Sequence, residues 1–334
     1  MSVLRRIAGL SQLPALALAV AVAAFVVPVA GNSGMLATAI VIGIYAVVAL
    51  PLGFLFGHGG VLSLAQGSFA ALGAYTAAIL ATRTEWSPYL TLPLAIALPA
   101  LVAWGLARPI LRLPPLALVI ATLALGRIVE EVSASATEFT GGRSGLTGTA
   151  PLPGVGFGLG AYITIWAAAV VLVIAYTNIV TGSRGRSLNA VRHDTTLARS
   201  VGVDVAWELS VAFALSAGVS GAAGWFYVHY IGFIAPESLS FSFSAALLLM
   251  VVVGGRKSVL GPVIGAVFYI LVQDYLPAGA ELKNLIFGCL LAAVLVFLPN
   301  GLASLPHLVR QGVRRRQQPT SRDAVRHDKE LTGA

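Results

Sequence analysis

The stretch LATAIVIGIYAVVALPLGFLF, from Leu36 to Phe56, contains no Asp, Glu, Lys or Arg. A helix of about 20 apolar residues is long enough to cross the hydrocarbon core of a bilayer, which is about 30 Å thick. Since charged side chains are costly within that core, their absence from this stretch agrees with burial in lipid. We therefore predict that Leu36–Phe56 is a transmembrane helix.

The composition of the whole chain points the same way. Of its 334 residues, 57% are hydrophobic and only 10% are charged, whereas an average soluble domain has about 25% charged residues. A soluble protein of this composition would lack the polar side chains that its surface requires. The single cysteine, Cys289, excludes a disulfide framework or a cysteine-based metal site within the chain. These values indicate an integral membrane protein.

Further apolar runs extend this prediction to a polytopic protein. Seven have a similar length: Leu13–Val29, Val61–Ala81, Tyr89–Ala107, Leu116–Val132, Ala161–Tyr176, Leu209–Tyr227 and Val259–Leu276. Two are shorter: Phe243–Val253 and Leu285–Leu298. Transporters tolerate tilted, broken or half-spanning helices where protein buries the broken backbone. We predict an all-α integral membrane protein, a helical bundle of about ten transmembrane helices.

The positions of the basic residues predict the orientation of this bundle. If the N-terminus is cytoplasmic and ten spans alternate, the cytoplasmic segments hold most of the Lys and Arg residues: Arg5, Arg6, Arg108, Arg112, the arginines of 184–199, Arg256, Lys257 and those after residue 308. The external segments hold only Arg83, Arg143 and Lys283. Because cytoplasmic loops are enriched in Lys and Arg, we expect both termini to be cytoplasmic.

The chain divides into one membrane domain and a tail. We predict that residues 1–308 form a single transmembrane domain, with an external loop over residues 133–160 and a cytoplasmic loop over residues 181–208. Residues 309–334 are polar and basic, so we expect a disordered cytoplasmic tail that anionic lipids attract. A nucleic-acid-binding role is disfavoured, because the basic residues lie between apolar runs rather than on one face of a domain.

The sequence carries no recognisable catalytic signature. It lacks the G-x-x-x-x-G-K-[ST] phosphate-binding loop and the H-E-x-x-H zinc motif. Gly57-His58-Gly59-Gly60 lies at a predicted membrane boundary without a nucleophile elbow elsewhere, so a helix break is the favoured interpretation. We expect no catalytic residue, no bound metal and no cofactor of its own, and hence not an enzyme.

The loop over residues 181–208 is the most informative polar segment. Leu188–Val201 is predicted to be a short helix that ends at Gly202, a residue suited to the left-handed conformation. Its exposed face would carry Arg192, Asp194 and Arg199, and its apolar positions are Leu188, Val191, Leu197 and Val201. Such a helix can dock in a groove of a partner protein or lie on the lipid surface. The residues alone do not separate these two interpretations.

Several motifs in this order resemble the branched-chain amino acid ABC importer permeases of the LivM type. The loop sequence Gly185-Arg-Ser-Leu-Asn-Ala-Val-Arg-His-Asp194 resembles that family's coupling loop, and Leu62-Ser-Leu-Ala-Gln-Gly-Ser-Phe-Ala-Ala-Leu-Gly-Ala-Tyr-Thr76 resembles its signature. Three further segments agree: Thr140–Leu146, His229–Ser238 and Pro299–Leu302. The resemblance extends from about Gly31 to Leu302.

This resemblance implies a role in an importer of the bacterial plasma (inner) membrane. It implies a second homologous permease subunit, two cytoplasmic ATPase subunits that bind ATP, and an external solute-binding protein that delivers Leu, Ile, Val or similar small amino acids or amides. The loop would then dock on an ATPase through Gly185, Arg186, Leu188, Ala190, Arg192, Asp194, Ala198 and Gly202.

Polar residues in the signature segment are candidates for the translocation path. A zwitterionic amino acid with an apolar side chain requires a weakly polar path rather than a charged cage. Ser63, Gln66, Ser68, Tyr75 and Thr76 would supply such a lining. For any one of them, a hydrogen bond between helices is the favoured alternative.

Two sets of charged residues depart from the family's pattern. Arg127 and Glu130 lie at spacing i, i+3 on one helix face, where they can pair, but the order of acid and base is swapped. A structural pair or a vestibule lining is favoured over a substrate ligand. Arg256 and Lys257 stand where a small Gly-Ser turn is expected, and lipid contact is their simplest interpretation.

Two alternatives belong to other functional classes. A stand-alone secondary transporter or channel would require an intramembrane acid for ion coupling, and Glu130 is nearly the only candidate. A membrane enzyme would require a nucleophile, a metal set or an acid–base pair, and the sequence offers none that is convincing. The importer permease is therefore the favoured prediction.

Overall fold

A computed structural model describes residues 17–19, 21, 31–84, 86–156, 158–275, 288 and 301–304. The helices are α1 (Ser33–Gly59), α2 (Gln66–Arg83), α3 (Pro88–Ile110), α4 (Pro115–Ser135), α5 (Thr137–Thr140), α6 (Leu159–Thr181), α7 (Ser183–His193), α8 (Thr195–Ser200), α9 (Val205–Ile231), α10 (Phe241–Gly254) and α11 (Gly261–Tyr275). Two-residue strands β1 (Leu146–Thr147) and β2 (Phe233–Ile234) pair antiparallel. Short 3-10 turns cover Gly142–Ser144 and Leu302–Ser304.

The helices confirm an α-helical architecture with apolar, membrane-length elements. Within the described residues, four helices are long and apolar enough to cross a bilayer: α1, α3, α6 and α9. Two shorter apolar helices are α10 and Gly261–Asp274 of α11. The predicted spans Leu13–Val29 and Leu285–Leu298 fall almost wholly outside the described residues, as does the tail 309–334. The count of ten spans and the positions of the termini stay predictions.

Local sequence explains where α1 begins and ends. The Asn32 side chain accepts hydrogen bonds from the backbone N–H groups of Gly34 and Met35 over 3.0 and 3.3 Å, which satisfies two donors that the first turn leaves free. At the other end Gly60 has a φ of 70°, a conformation that favours glycine. The helix break predicted from Gly57-His58-Gly59-Gly60 therefore falls at Gly60.

The second predicted span begins later than the sequence suggested. Val61–Ala81 was expected to be one helix, but Gly60–Ala65 is non-helical and α2 begins at Gln66. Val61, Ser63, Leu64 and Ala65 are nevertheless buried. Apolarity alone does not distinguish a buried extended segment from a helix, which is why the boundary was misplaced.

Helix α9 lies at the centre of the bundle, packed on α1, α2 and α3. Its contact with α2 is a backbone contact, because a Cβ added at Gly73 would overlap Gly221 and one added at Gly224 would overlap Ala70. Gly221 also lies against the carbonyl of Ala95 on α3. Small residues at such positions let membrane helices approach closely. Helix α1 packs in turn on α6 and α11.

The loop expected over residues 133–160 contains ordered structure. It includes the end of α4, α5, a 3-10 turn and β1, and its β1 pairs Leu146 with Ile234 and Thr147 with Phe233. Gly145, with a φ of 75°, lies directly against the backbone of Ile234. The motifs Thr140–Leu146 and His229–Ser238, far apart in sequence, therefore meet at one end of the bundle.

Candidate functional site

A buried polar cluster joins α1, α2 and α9 at the middle of the bundle. Gln66, fully buried, donates from Nε2 to Ser216 Oγ over 2.7 Å and accepts at Oε1 from Ser220 Oγ over 2.6 Å. Ser216 Oγ in turn donates to the carbonyl of Pro51 over 3.0 Å. Buried polar groups require such partners. Gln66 thus has both ends of its amide satisfied.

The depth of this cluster shows that α2 begins within the bundle. Ser216 lies near the middle of α9, and Pro51 lies well before the end of α1 at Gly59. The segment Gly60–Ala65, exposed at Gly60 and mostly buried from Val61 onward, therefore leads from the end of α1 back into the bundle, where α2 begins at Gln66. A helix that begins at such a depth exposes backbone N–H groups that water cannot reach.

Side chains from two other helices supply acceptors for these N–H groups. The N–H of Leu64 donates to Thr122 Oγ1 of α4 over 3.1 Å, and the N–H of Gly67 donates to Ser244 Oγ of α10 over 3.0 Å. The N–H of Ala65 donates to Ser63 Oγ over 3.3 Å. The start of α2 is therefore tied to α4 and α10 by hydroxyl groups rather than by water.

The other path candidates on α2 are spread along the helix. Ser68 is buried beside Gly126 of α4, and Tyr75 is buried with no hydrogen-bond partner for its hydroxyl among the described residues. Thr76 is partly buried and donates to the carbonyl of Leu72 over 2.6 Å. Together with Ser63 and Gln66, these side chains are enclosed by neighbouring helices in the conformation described.

Arg127 and Glu130 form the predicted ion pair on α4. Arg127 Nη1 lies 3.1 Å from Glu130 Oε2. The side chain of Arg127 is 59% exposed and that of Glu130 is 20% exposed. The Arg127 guanidinium also lies 5.9 Å from the ring centroid of Phe241, at the start of α10. The pair therefore lies on an open face of α4, not within the bundle.

The segment predicted as one helix over Leu188–Val201 is two helices, α7 and α8. The break falls at Asp194, which has extended backbone angles and whose Oδ1 accepts from the N–H groups of Thr196 over 2.7 Å and Leu197 over 3.0 Å. An Asp at this position is a strong N-cap, so it starts a new helix. Gly202 has a φ of 86°, as its predicted helix-ending role requires.

Burial divides the apolar residues of this loop into two groups. Leu188, Val191 and Ala198 are buried, at 2%, 3% and 1% exposure. Leu197 and Val201, expected as apolar positions of the same helix, are 64% and 70% exposed. Consecutive residues of a helix point about 100° apart, so Ala198 of α8 faces the bundle while Leu197, and Val201 four residues later, face away from it. Leu197 and Val201 form an apolar patch on the outside of the loop.

Other predicted loop residues support its attachment to the bundle. Gly185 is buried, and a Cβ there would overlap the backbone of Val180. Arg186 donates from Nη1 to the carbonyl of Thr181 over 3.3 Å. Ala190 is partly buried against the core. These contacts hold α7 against the end of α6 that precedes it.

Arg192 points inward, contrary to its predicted place on an exposed face. Its Nη1 donates to the carbonyl of Gly57, near the end of α1. Burial, and to a smaller extent the nearby Arg256, lower the pKa of the Arg192 guanidinium below its ordinary value. Asp194, assigned to the same exposed face, is exposed but engaged as the cap of α8.

Sequence reasoning did not find the partners of Gln66. Ser216 and Ser220 stand four residues apart on α9, with Gly221 and Gly224 nearby, a spacing that places small residues along one helix face. That pattern would have indicated a close contact with a neighbouring helix. Nothing in the sequence indicated which helix supplies the partner.

Among the residues that the structure describes, no group of three or more His, Cys, Asp or Glu side chains could hold a metal ion. The polar groups brought together are hydroxyls, an amide and backbone carbonyls. Within these described residues, the site offers hydrogen bonding in an apolar bundle and an anchored loop with an apolar outer patch.

Comparisons with known proteins agree with these features. The family model described as branched-chain amino acid transport system / permease component matches residues 34–295. The high-affinity branched-chain amino acid transport system permease protein LivM of Salmonella typhimurium is 31% identical, over 78% of this chain and 67% of that protein. The LivM protein of Escherichia coli is 30% identical with the same coverage. No solved structure matches.

Proposed function

The chain belongs to the permease-component family of branched-chain amino acid transport systems, and from this membership we propose that it is the membrane-spanning subunit of an ATP-driven importer. The family and the apolar helices make it a multi-pass membrane protein with a transport role. We propose that the chain crosses the bacterial plasma membrane about ten times and has both termini in the cytoplasm.

The proposed machine has further components. A second homologous permease, two cytoplasmic ATPases that bind the ATP, and an external solute-binding protein would complete it. The cargo would be Leu, Ile, Val or a similar small amino acid or amide. Homologues named as permease proteins of a branched-chain amino acid transport system support this assignment.

The observation that carries the ATPase-coupling part is the loop of residues 181–208. Its inner residues Leu188, Val191 and Ala198 are buried, whereas Leu197 and Val201 project outward with most of their surface exposed. An anchored short helix that presents apolar side chains is suited to a partner's groove. We propose that the apolar patch of Leu197 and Val201 contacts an ATPase subunit and that α7 supports it from within.

The proposed translocation path involves the start of α2. Ser63, Gln66, Ser68, Tyr75 and Thr76 are enclosed in the conformation described, so substrate would reach them only when α2 moves relative to α4 or α10. The bonds from Leu64 to Thr122 and from Gly67 to Ser244 are the contacts that such a movement would break.

Reconstitution tests the importer proposal. The tagged chain, extracted with the proteins that accompany it, would be placed in liposomes with a binding protein and radiolabelled leucine. Uptake that requires internal ATP, together with recovery of a second permease and P-loop ATPases, is the expected result. Uptake by the chain alone without ATP would instead establish a secondary transporter or channel, with Glu130 as the residue to examine.

Cysteine accessibility tests the path. In a Cys289→Ser background, which removes the single native cysteine, Ser68→Cys is expected to react with a small cationic thiol reagent faster during ATP-driven transport than at rest. Ala169→Cys, equally enclosed on α6, serves as the control and is expected to stay unreactive. Equal reactivity of Ser68→Cys in both conditions would remove this segment from the path.

A further inference from the structure

We propose that Arg192 is a positioning residue that ties the loop helix α7 to the end of α1, so that a displacement of α7 moves α1. This inference rests on the proposed function, because it describes how a movement at the ATPase would reach the membrane helices. It replaces the expectation that Arg192 contacts the ATPase directly.

The first supporting contact is between the guanidinium and the backbone. Arg192 Nη1 donates to the carbonyl of Gly57, which lies in the last turn of α1. The last carbonyls of a helix lack partners within the helix and carry the negative end of its dipole. A guanidinium there is both a hydrogen-bond donor and a favourable charge. The contact is therefore specific for the end of α1 rather than a chance surface encounter.

The second observation is the close approach of Gly60 to Arg192. A Cβ added at Gly60 would lie 3.2 Å from Cγ of Arg192 and 3.8 Å from its Cα. Gly60 also has a φ of 70°, which non-glycine residues rarely adopt. The chain thus leaves α1 directly against the base of the Arg192 side chain on α7. Relative movement of these two elements would have to open this contact.

Other elements meet at the same point. The hydroxyl of Tyr176, near the end of α6, lies 3.2 Å from Nδ1 of His58 in a hydrogen bond. A Cβ at Gly57 would overlap the backbone carbonyl of Arg256, in the turn between α10 and α11. The guanidinium of Arg256 lies 5.5 Å from the ring centroid of Phe56. The end of α1 is therefore a junction of α6, α7 and the α10–α11 turn.

Two sequence features noted above, the glycine-rich run at the end of α1 and Arg256, meet at this junction. Gly57-His58-Gly59-Gly60 permits the close approach of Arg192 on one side and of the Arg256 backbone on the other. Arg256 lies on Phe56 rather than only at the surface. A side chain at Gly57, or the loss of the Arg192 donor, would weaken the contact between α7 of the loop and the end of α1.

The test compares Arg192→Gln with the control Arg108→Gln, which removes an exposed arginine from the last turn of α3, outside the loop. Each variant complex is reconstituted, and the amount of bound ATPase, the rate of ATP hydrolysis and the uptake per ATP are measured. Arg192→Gln should lower uptake per ATP by about tenfold, an effect of the size that residues of a coupling network produce. ATPase recovery should stay at the wild-type value, and Arg108→Gln should change neither quantity.

Arg192→Lys keeps a positive charge and one donor, and it should restore part of the lost coupling. It also serves as the test variant if Arg192→Gln does not accumulate. Wild-type uptake per ATP in the variant tested would overturn the inference. Loss of the ATPase subunits from Arg192→Gln, but not from Arg108→Gln, would also overturn it, because Arg192 would then be a docking contact.

A second measurement separates this inference from the importer proposal. Amide hydrogen exchange at Phe56–Gly60 should be about tenfold faster in Arg192→Gln than in the wild type, since a charge-assisted bond to the last turn of α1 is lost. Unchanged exchange would overturn the inference whatever the transport result. A wild-type chain that moves solute without ATP would overturn the importer proposal and leave the exchange result standing.

Discussion

Gln66 Nε2 on α2 donates to Ser216 Oγ on α9 over 2.7 Å, and Ser216 Oγ in turn donates to the carbonyl of Pro51 on α1. Three helices are thus joined through one side-chain amide in the interior of the bundle. Because the cluster is sealed from solvent, a missing member cannot be replaced freely by water. The stability of the bundle should therefore depend on this amide.

Replacing Gln66 by Leu removes this amide while keeping an apolar side chain of similar reach. The hydroxyls of Ser216 and Ser220 then lose a partner, and we expect a loss of about 1–2 kcal/mol in unfolding free energy. Chemical unfolding in detergent measures it. The control is Ser220→Ala alone and combined with Gln66→Leu. Strictly additive effects of the two changes would show that their hydrogen bond contributes nothing.

The glycine contacts between α2 and α9 should not tolerate a methyl group. A Cβ at Gly73 would overlap the backbone of Gly221, so Gly73→Ala must push the helices apart. We expect reduced membrane yield and a loss of about 1–3 kcal/mol from this overpacking. Gly105→Ala on α3, where a Cβ meets nothing within 4 Å, should be neutral or slightly stabilising. Similar thermal unfolding of both variants would contradict the close contact.

A charge in the apolar patch of the loop should break the proposed docking contact. Leu197→Asp places a carboxylate where the side chain is 64% exposed, so the fold of the permease should survive. If Leu197 is buried by an ATPase, its replacement costs about 2 kcal/mol and weakens binding roughly thirtyfold. Pull-down of the ATPase subunit measures this. Thr196→Asp carries the same charge one residue away and should bind normally, and equal binding by both variants would contradict docking through Leu197.

The ion pair on α4 predicts a mutational asymmetry. Arg127→Ala leaves Glu130, whose side chain is only 20% exposed, without the partner that lies 3.1 Å away, and a partly buried charge without a partner is unfavourable. We therefore expect Arg127→Ala to lower membrane yield or uptake more than the double change Arg127→Ala with Glu130→Ala. Quantitative immunoblots and uptake assays compare them. A double variant much worse than the single one would show that the two residues act separately.

Asp194 should act on the loop through its capping bonds. Asp194→Ala removes the acceptor of the Thr196 and Leu197 N–H groups, at a cost of about 0.5–2 kcal/mol to α8. Hydrogen exchange at these two amides should accelerate, whereas Asp194→Asn, which keeps an acceptor oxygen, should stay close to the wild type. If Asp194→Ala exchanges as slowly as Asp194→Asn, the cap does not stabilise α8.

The helical architecture was predictable because membrane crossing imposes a length and an apolar composition. Leu36–Phe56 lies within α1 and Tyr89–Ala107 lies within α3. The start of α2 was not predictable, because Val61–Ala65 is as apolar as a helix, and its non-helical path includes a hydrogen bond from Leu64 to Thr122 of α4, which is distant in sequence. The pairing of Arg127 with Glu130 followed from local spacing alone.

The loop illustrates the same limit. Gly202 was predicted to end a helix, and its positive φ agrees. The break at Asp194 had a local signal, since Asp is a strong N-cap residue, but the pattern of apolar positions obscured it. The inward direction of Arg192 depends on the position of Gly57, which is distant in sequence. Local pattern therefore identified the segment but not the side that each residue faces.

The backbone contact at Gly73–Gly221 and Gly224–Ala70 has a mechanical consequence. Two points of backbone contact without intervening side chains fix both the distance between α2 and α9 and their relative position along the helix axes. The two helices should therefore move together as one rigid body. Hydrogen bonds at its flanks, such as Leu64 to Thr122 and Ser216 to Pro51, can break and re-form at moderate cost. Relative movement of helices should therefore occur where these flanking hydrogen bonds break, while the glycine contacts between α2 and α9 stay intact.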